Sequence, residues 1–533
     1  MKLSHGIAAT LITMVLSGCG GGDAGPGLNP ESKHLTKMTK SVGTSPADYQ
    51  NVVETLYVAY FGRPADPGGL ANFESALLAA GAPSDVTSLA EAYSTNATVK
   101  ALIDSFGTSA ESQALYGSSS TSSTSFVTAV YTNLLNRQPE QAGLTFWSSA
   151  IASGNLSMGN AALSITAGAY GNSTTQGQAD ATLISNRIAV ATTFTNEVDS
   201  GGETTAYAGS GMAWVARNML SQVTATTNAT AFQATIATTI TNIVSIASGL
   251  SALNDFRTAE GPGEIPQNAA LFQAAYGHAN YMALNGIVGH AETSGLPGFI
   301  GVDPGHRAEL YGYPVFDIGE EASGYTGANG SLAGQGADAV NNLIATVYHR
   351  LGLLYQYQTD VGLGMALSPD GNSVYTTIDL GYQNASETPI SGNGYTNFIP
   401  YPTTVSGSYF GVYPLAGQAG VPLCMQPETP SPFPNLTAAE FATNTGFPIS
   451  VIAPTNSTIT VTSFSLTQTG SSTPLSVTLF TGSDPNFNTN NNAAFIVANQ
   501  SLLPNTSYTA AFVGTSNGVA INRSWSFTTG PGT

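Results

Sequence analysis

Three kinds of hydrophobic pattern follow one another along the 533 residues. From residue 46 to 250 apolar positions recur at helical spacing, first in short blocks and then, over 178–250, within an Ala/Thr-rich stretch; this predicts an all-α N-terminal domain. Between 251 and 383 two periods mix. "NAALFQAAYGHANYMALNG" places Leu271, Ala274, Ala275, His278 and Met282 on one helical side and stops at Asn285-Gly286. "ADAVNNLIATVYHRLGLL" predicts a second helix, and "DVGLGMALSPDGNSVYTTIDLGY" a hairpin turning at Pro369-Asp370-Gly371-Asn372. Helices around a small antiparallel sheet make an α+β sandwich. From Ile449 the pattern alternates in short runs such as "STITVTSFSL", "TSYTAAFV" and "RSWSFTTG", which predicts an all-β C-terminal module behind a linker, together 384–533.

The helical region contains an internal repeat. "LYVAYFGRPADPGGLANFE" (Leu56 to Glu74) aligns without a gap to "VYTNLLNRQPEQAGLTFWS" (Val130 to Ser148), so that Tyr57 meets Tyr131, Arg63 meets Arg137 and Gly69-Leu70 meets Gly143-Leu144. Each copy reads as helix, turn, helix. The arginine is expected to cap the first helix's carbonyls rather than bind an anion. This signature resembles a bacterial domain-of-unknown-function family found on large surface and S-layer-type proteins, which implies display or assembly. The closing strands, ending Trp525-Ser526-Phe527-Thr528-Thr529, resemble bacterial immunoglobulin-like or fibronectin-like sandwiches.

Composition narrows the setting. Charged residues are 8% of the chain, against about 25% in ordinary soluble proteins, and Ser, Thr, Asn and Gly carry the surface instead. The formal charge of -19, with no lysine after Lys100, disfavours nucleic acid and anionic membrane surfaces as partners. Met1-Lys2 and the apolar run Gly6 to Leu16 are too short to span a bilayer and read as a secretory leader. The leader ends in Leu16-Ser17-Gly18-Cys19, which resembles the lipobox of bacterial lipoproteins. That resemblance implies a signal peptide at 1–19, a lipid anchor on Cys19, a flexible tether over 20–45 and, because Gly20 follows the cysteine, an outer-membrane destination. Cys424, the other cysteine, then has no intramolecular partner and is expected to be a buried inert thiol.

Four of the six histidines, His278, His290, His306 and His349, fall within 72 residues of the α+β region, and that clustering marks it as the candidate site. Two apparent motifs elsewhere carry little. Gly514-Thr515-Ser516-Asn517-Gly518 satisfies a nucleophile-elbow spacing but sits between two strands, where a hairpin turn is expected. Asp484 to Asn488 begins like a calcium loop without its central glycine or closing glutamate.

The blocks "LNDFR" (253), "AAYGHANYMALNGIVGHAETSGLPGFIGVDPGHRAELYGY", "GEEAS", "YHRLGLL" and "VGLGMAL" occur in one order over about 130 residues. They are similar to the bacterial form of the CAP superfamily (cysteine-rich secretory, antigen and pathogenesis-related proteins). The resemblance implies an α-β-α sandwich over 251–383. It also implies a cleft of two histidines and acidic residues, often able to hold Zn²⁺ or another divalent cation. Carried over position by position, the cleft residues are His290, Glu320 and His349, with His290 and His349 as metal ligands. Glu292 is the expected fourth member and Glu321 its rival. The chain departs from the pattern at Glu321 (usually asparagine), Leu343 (commonly tryptophan) and Tyr348 (usually glycine). Two imidazoles and a carboxylate suit Zn²⁺ with an open position; an imidazole beside a carboxylate equally holds a proton network without metal. His278 is expected to be structural, His306 exposed or helix-capping, and Arg307 and Arg350 to brace helix ends or carboxylates. The function these features imply is non-enzymatic binding or adhesion at the cell surface, with a lipid, glycan, protein or small apolar ligand. The alternative is a metal-assisted hydrolase of peptide or cell-wall material working through His290, His349 and a glutamate.

Overall fold

In the computed structural model, residues 44–117, 122–315, 318–383, 388, 390–392, 394–398, 408–487 and 491–532 are described. Cys19 and the leader lie outside them. After Ile243 the chain divides into two compact units.

The described part of the first unit is helical. Helix α1 (Gln50–Phe61) stops at Gly62, whose φ of 68° is the left-handed turn that glycine takes without strain. Helix α2 (Pro67–Ala79) starts behind Asp66, whose carboxylate accepts the Gly69 amide at 2.7 Å, with Pro67 in the first turn. Helices α3 (Ser122–Leu135) and α4 (Gln141–Ala152) repeat the arrangement, with Asn136 at φ 52° in the place of Gly62. The long α5 (Thr175–Gly201) packs on α1 and α3. Arg63 does not cap the carboxyl end of α1 as expected. Arg63 lies over the Tyr57 ring and makes a bidentate pair with Glu111 (2.7 Å twice), and Arg137 lies over Tyr131 and pairs with Asp180 at 2.8 Å. The reason is local: Tyr57 and Tyr131 lie against the guanidinium planes, the carboxylate of Glu111 takes two of Arg63's donors, and a third goes to the Pro64 carbonyl at 2.9 Å.

The second unit opens within α6 (Gln233–Glu260), which is long and apolar enough to cross a membrane by length and composition alone. From Val244 onward its small residues are spent on packing: Ser245 Oγ accepts the Gly336 amide at 2.9 Å, and a Cβ on Gly249 would lie 3.1 Å from Leu363. Then follow α7 (Ala269–Asn285), α8 (Pro304–Leu310), β1 (Gly319–Thr326), α9 (Gln335–Ile344), α10 (Tyr348–Leu353), β2 (Asp360–Leu367) and β3 (Ser373–Gly381). The three strands form an antiparallel sheet in the order β1-β3-β2. Strand residues alternate between faces, and β2 uses this fully. A Cβ at Gly362 or Gly364 would stand 2.1 Å from the Leu271 backbone or 2.2 Å from that of Tyr276, so α7 lies directly on this face. Leu363 and Met365 point the other way, toward Gly249 and Ser245 of α6. The outcome is a helix–sheet–helix sandwich.

Beyond it, β4 (Gly411–Tyr413), β5 (Ile449–Ile452), β8 (Ala493–Ala498) and β7 (Val477–Phe480) form one antiparallel sheet in that order. Strands β10 (Val519–Thr528), β9 (Ser507–Ser516) and β6 (Ile459–Gln468) form another. Their inward residues, including Ile449, Val451, Ile496, Phe464, Leu466, Phe512 and Trp525, share one core. The turn between β9 and β10 is Asn517-Gly518 with both φ positive, so the elbow-like spacing there is a hairpin turn. Cys424 is half-buried and unpaired, and burial raises its thiol pKa.

Candidate functional site

Each expected site residue is positioned by a different local device. The Asp303 carboxylate caps α8 by accepting the His306 amide at 2.9 Å, and the following turn of α8 carries Arg307 inward, where it is completely buried. Glu320 and Glu321 succeed one another on β1, so their carboxyls leave the strand on opposite faces. His349 sits in the first turn of α10. The loop 287–301 that carries His290 and Glu292 is held by its own polar groups. Glu292 Oε2 accepts the amides of Ile300 (2.7 Å) and Gly301 (3.2 Å), while both terminal nitrogens of Arg307 donate to the His290 carbonyl at 3.1 Å.

On the α7 face of β1, His290 Nδ1 meets Glu320 Oε1 at 3.0 Å; the imidazole is 54% exposed and the carboxylate is buried. Arg307 Nη2 donates to the other oxygen of Glu320 at 2.5 Å. Beneath them His278, expected to be merely structural, is completely buried. Its Nε2 donates to the Gly289 carbonyl at 2.7 Å and lies 3.7 Å from Glu320, while its Nδ1 meets Glu292 Oε1 at 2.9 Å. Burial alone would work against a charge on Glu320, but the bond from His290 and the nearby Arg307 outweigh it and hold the carboxyl below its usual range. Asp379 faces Glu320 from β3. Burial and the Glu320 carboxylate push Asp379 well above the usual carboxylate range.

On the other face, His349 is 14% exposed, with Nε2 3.9 Å from Glu321 Oε2 and Nδ1 3.0 Å from Glu428 Oε2. The Glu321 carboxyl fits over Gly352, where a Cβ would lie 1.8 Å from its Oε1. Burial and the carboxylates of Glu428 and Glu320 push Glu321 well above the usual range.

The single constellation expected from the sequence thus resolves into two His–carboxylate sets, one on each face of β1. Glu292, the expected fourth member, spends its oxygens on His278 and two backbone amides; Glu321, its rival, is the carboxylate near His349. Among the described residues no group of three or more His, Cys, Asp or Glu side chains is arranged to hold a metal ion. His290, His278 and His349 are each hydrogen-bonded to a carboxylate. His306 is exposed against Asp303, as one of its two expected readings has it, although Asp303 does the capping. Sequence reasoning missed Asp379 and Glu428. Asp379 had one available signal, an acid alternating with apolar residues in "TTIDLGY". Glu428 had none.

A helix–sheet–helix sandwich with these histidines and carboxylates along its edge strand defines a recognisable class of domain. Residues 250–380 match the model of the Cysteine-rich secretory protein family, and the chain carries a CAP domain there. Residues 103–169 match a domain of unknown function, DUF4214, over a stretch that contains the second copy of the helical repeat. No curated protein matches the chain. It is a multidomain protein, helical in its N-terminal part, with antiparallel sheets in its C-terminal part.

Proposed function

We propose that this is an extracytoplasmic bacterial lipoprotein, held at the outer membrane or cell surface through Cys19, whose CAP domain binds a small apolar ligand without transforming it. In this reading 20–45 is the tether, 46–250 a display domain, 251–383 the binding domain and 384–533 a linker with an immunoglobulin-like sandwich. The sandwich assignment is supported by two antiparallel sheets closing on one apolar core.

One observation carries the binding role. The half-exposed His290 is the solvent-facing end of an otherwise buried polar network, and apolar side chains stand exposed beside it. Val288, two residues away and 54% exposed, lies against Gly324 of β1; Ile287 and Leu296 in the same loop and Leu284 at the end of α7 are also exposed. Exposed apolar side chains on the loop that carries one fixed polar group suit a ligand with a hydrophobic body and a single hydroxyl or carboxyl. Covalent hydrolysis would need a side-chain nucleophile, and no serine or cysteine accompanies either histidine among the described polar contacts.

The test is binding of fluorescent sterol and fatty-acid probes to the full chain. We expect saturable binding that falls at least tenfold in His290→Ala and also in Val288→Asp. A flat response with all such probes overturns the reading. So does stoichiometric zinc that vanishes in the His290→Ala, His349→Ala double variant together with peptide or cell-wall hydrolysis, an outcome that favours the metal-assisted hydrolase.

A further inference from the structure

The second histidine is held from outside the CAP domain. Glu428 lies beyond the family-matched residues 250–380, in the segment leading to the C-terminal sheets, and its side chain is completely buried. Its Oε1 accepts the Val347 amide at 2.8 Å; its Oε2 accepts the amides of Tyr348 (2.9 Å) and His349 (3.3 Å) and also contacts His349 Nδ1 at 3.0 Å. The neighbouring residues are gripped in the same way. The Tyr348 hydroxyl donates to Asp484 at 3.0 Å. Arg350, completely buried, donates to the Pro448 carbonyl at 2.8 Å and to Ser450 Oγ at 3.1 Å, with its guanidinium over the rings of Tyr413 and Phe447. Ala345 packs within the apolar core of the sandwich, and its carbonyl accepts the Gln426 amide at 3.0 Å.

We propose that Glu428 is the positioning residue of the CAP cleft's second histidine, and that the C-terminal module is therefore a working part of that cleft. The inference rests on the reading of His349 as a cleft residue. Glu428 Oε2 already accepts from two backbone amides, so the hydrogen in its contact with the ring sits on Nδ1. That leaves Nε2 as the acceptor, directed to the Glu321 side. A carboxylate that fixes the tautomer of a histidine from behind is a recurrent way of readying its other nitrogen. Here the carboxylate is borrowed from a separate module, and Tyr348, in place of the family's usual glycine, supplies a second tie to that module.

The experiment reads the tautomer directly. In the full chain labelled with ¹⁵N-histidine at about pH 8, above the ordinary imidazole range, long-range ¹⁵N–¹H correlation distinguishes the two neutral forms. The His349 signals are assigned by their loss in His349→Gln. We expect His349 as the Nδ1–H form in the unaltered protein. Glu428→Gln, whose amide can donate to Nδ1, shifts it to the Nε2–H form or a mixture, whereas Glu428→Asp retains the Nδ1–H form. An unaltered protein with His349 in the Nε2–H form, or doubly protonated at this pH, overturns the proposal without any variant. So does a folded Glu428→Gln protein whose His349 stays Nδ1–H. Probe binding measured on the same samples separates the two ideas: a tautomer switch without a change in binding upholds the positioning role and removes His349 from the ligand site.

Discussion

Glu320 and Asp379 stand directly opposite each other on neighbouring antiparallel strands, both side chains buried, with Arg307 donating to Glu320 and His290 on its exposed side. Two carboxyls at such a cross-strand pair cannot both carry charge cheaply. The arrangement therefore favours a proton on Asp379 and the charge on Glu320, beneath the exposed imidazole of His290.

That proton makes stability depend on pH with a definite sign. The folded state binds the Asp379 proton above the pH at which the unfolded carboxyl releases it, so stability falls as pH rises from about 4 through the raised value. Glu321 and Glu54 contribute in the same direction, the latter pushed up to about 7 by burial. Asp379→Asn keeps a neutral polar side chain of the same shape opposite Glu320 and removes the titration. We expect urea midpoints of the variant to fall less steeply with pH than those of the unaltered chain between about pH 5 and 8; equal slopes would count against a proton held on Asp379.

Arg307 and His290 contact the same carboxylate with opposite consequences. Arg307→Ala leaves Glu320 and Glu292 buried without their cation and strips the His290 carbonyl of two donors, so a loss of about 3–5 kcal/mol is expected in chemical denaturation. His290→Ala exposes little and should stay within about 0.5 kcal/mol while losing probe binding.

Two glycines on β2 and α10 report how closely helices approach the sheet. Gly364→Ala puts a methyl 2.2 Å from the Tyr276 backbone, which cannot yield without moving α7, and should cost about 3 kcal/mol or more. Gly352→Ala meets only the carboxyl end of Glu321, which can rotate, so a loss of about 1–2 kcal/mol is expected, with His349's surroundings perturbed in the NMR spectrum.

In the helical unit the two repeats predict an asymmetry. A Cβ on Gly69 would stand 2.0 Å from the buried Tyr57 hydroxyl, whereas at Gly143 the nearest atom is the Tyr131 hydroxyl at 3.6 Å. Gly69→Ala should lower the thermal midpoint, and Gly143→Ala should leave it unchanged or raise it through helix propensity worth about 0.5–1 kcal/mol.

Much of this was legible in order along the chain. Helical spacing gave out where two-residue alternation began, and the turn chemistry of Asn285-Gly286, Pro369 to Asn372 and Asn517-Gly518 marks real ends of elements. His290 and Glu320 do meet. What periodicity could not express was which face each acid leaves from: Glu320 and Glu321 are neighbours in sequence, yet a strand's alternation sends one toward His290 and the other toward His349. His278 read as an apolar-side residue because its ring is indeed buried; its partner Glu292 is 14 residues away across a loop, a separation with no local signal.

By itself, the amino-acid order determined the succession of helical, mixed and alternating regions, the Tyr–Arg–Gly repeat and the identity of the histidine-bearing region, because each of these is a local regularity of spacing. Only the tertiary structure decided who pairs with whom. Arg63 finds Glu111 48 residues away, Asp379 is raised by burial and by the Glu320 that faces it, and Glu428 reaches His349 across 79 residues. A buried charge or hydrogen-bond donor takes whatever partner the packed chain brings within about 3 Å, and chain separation does not constrain that choice.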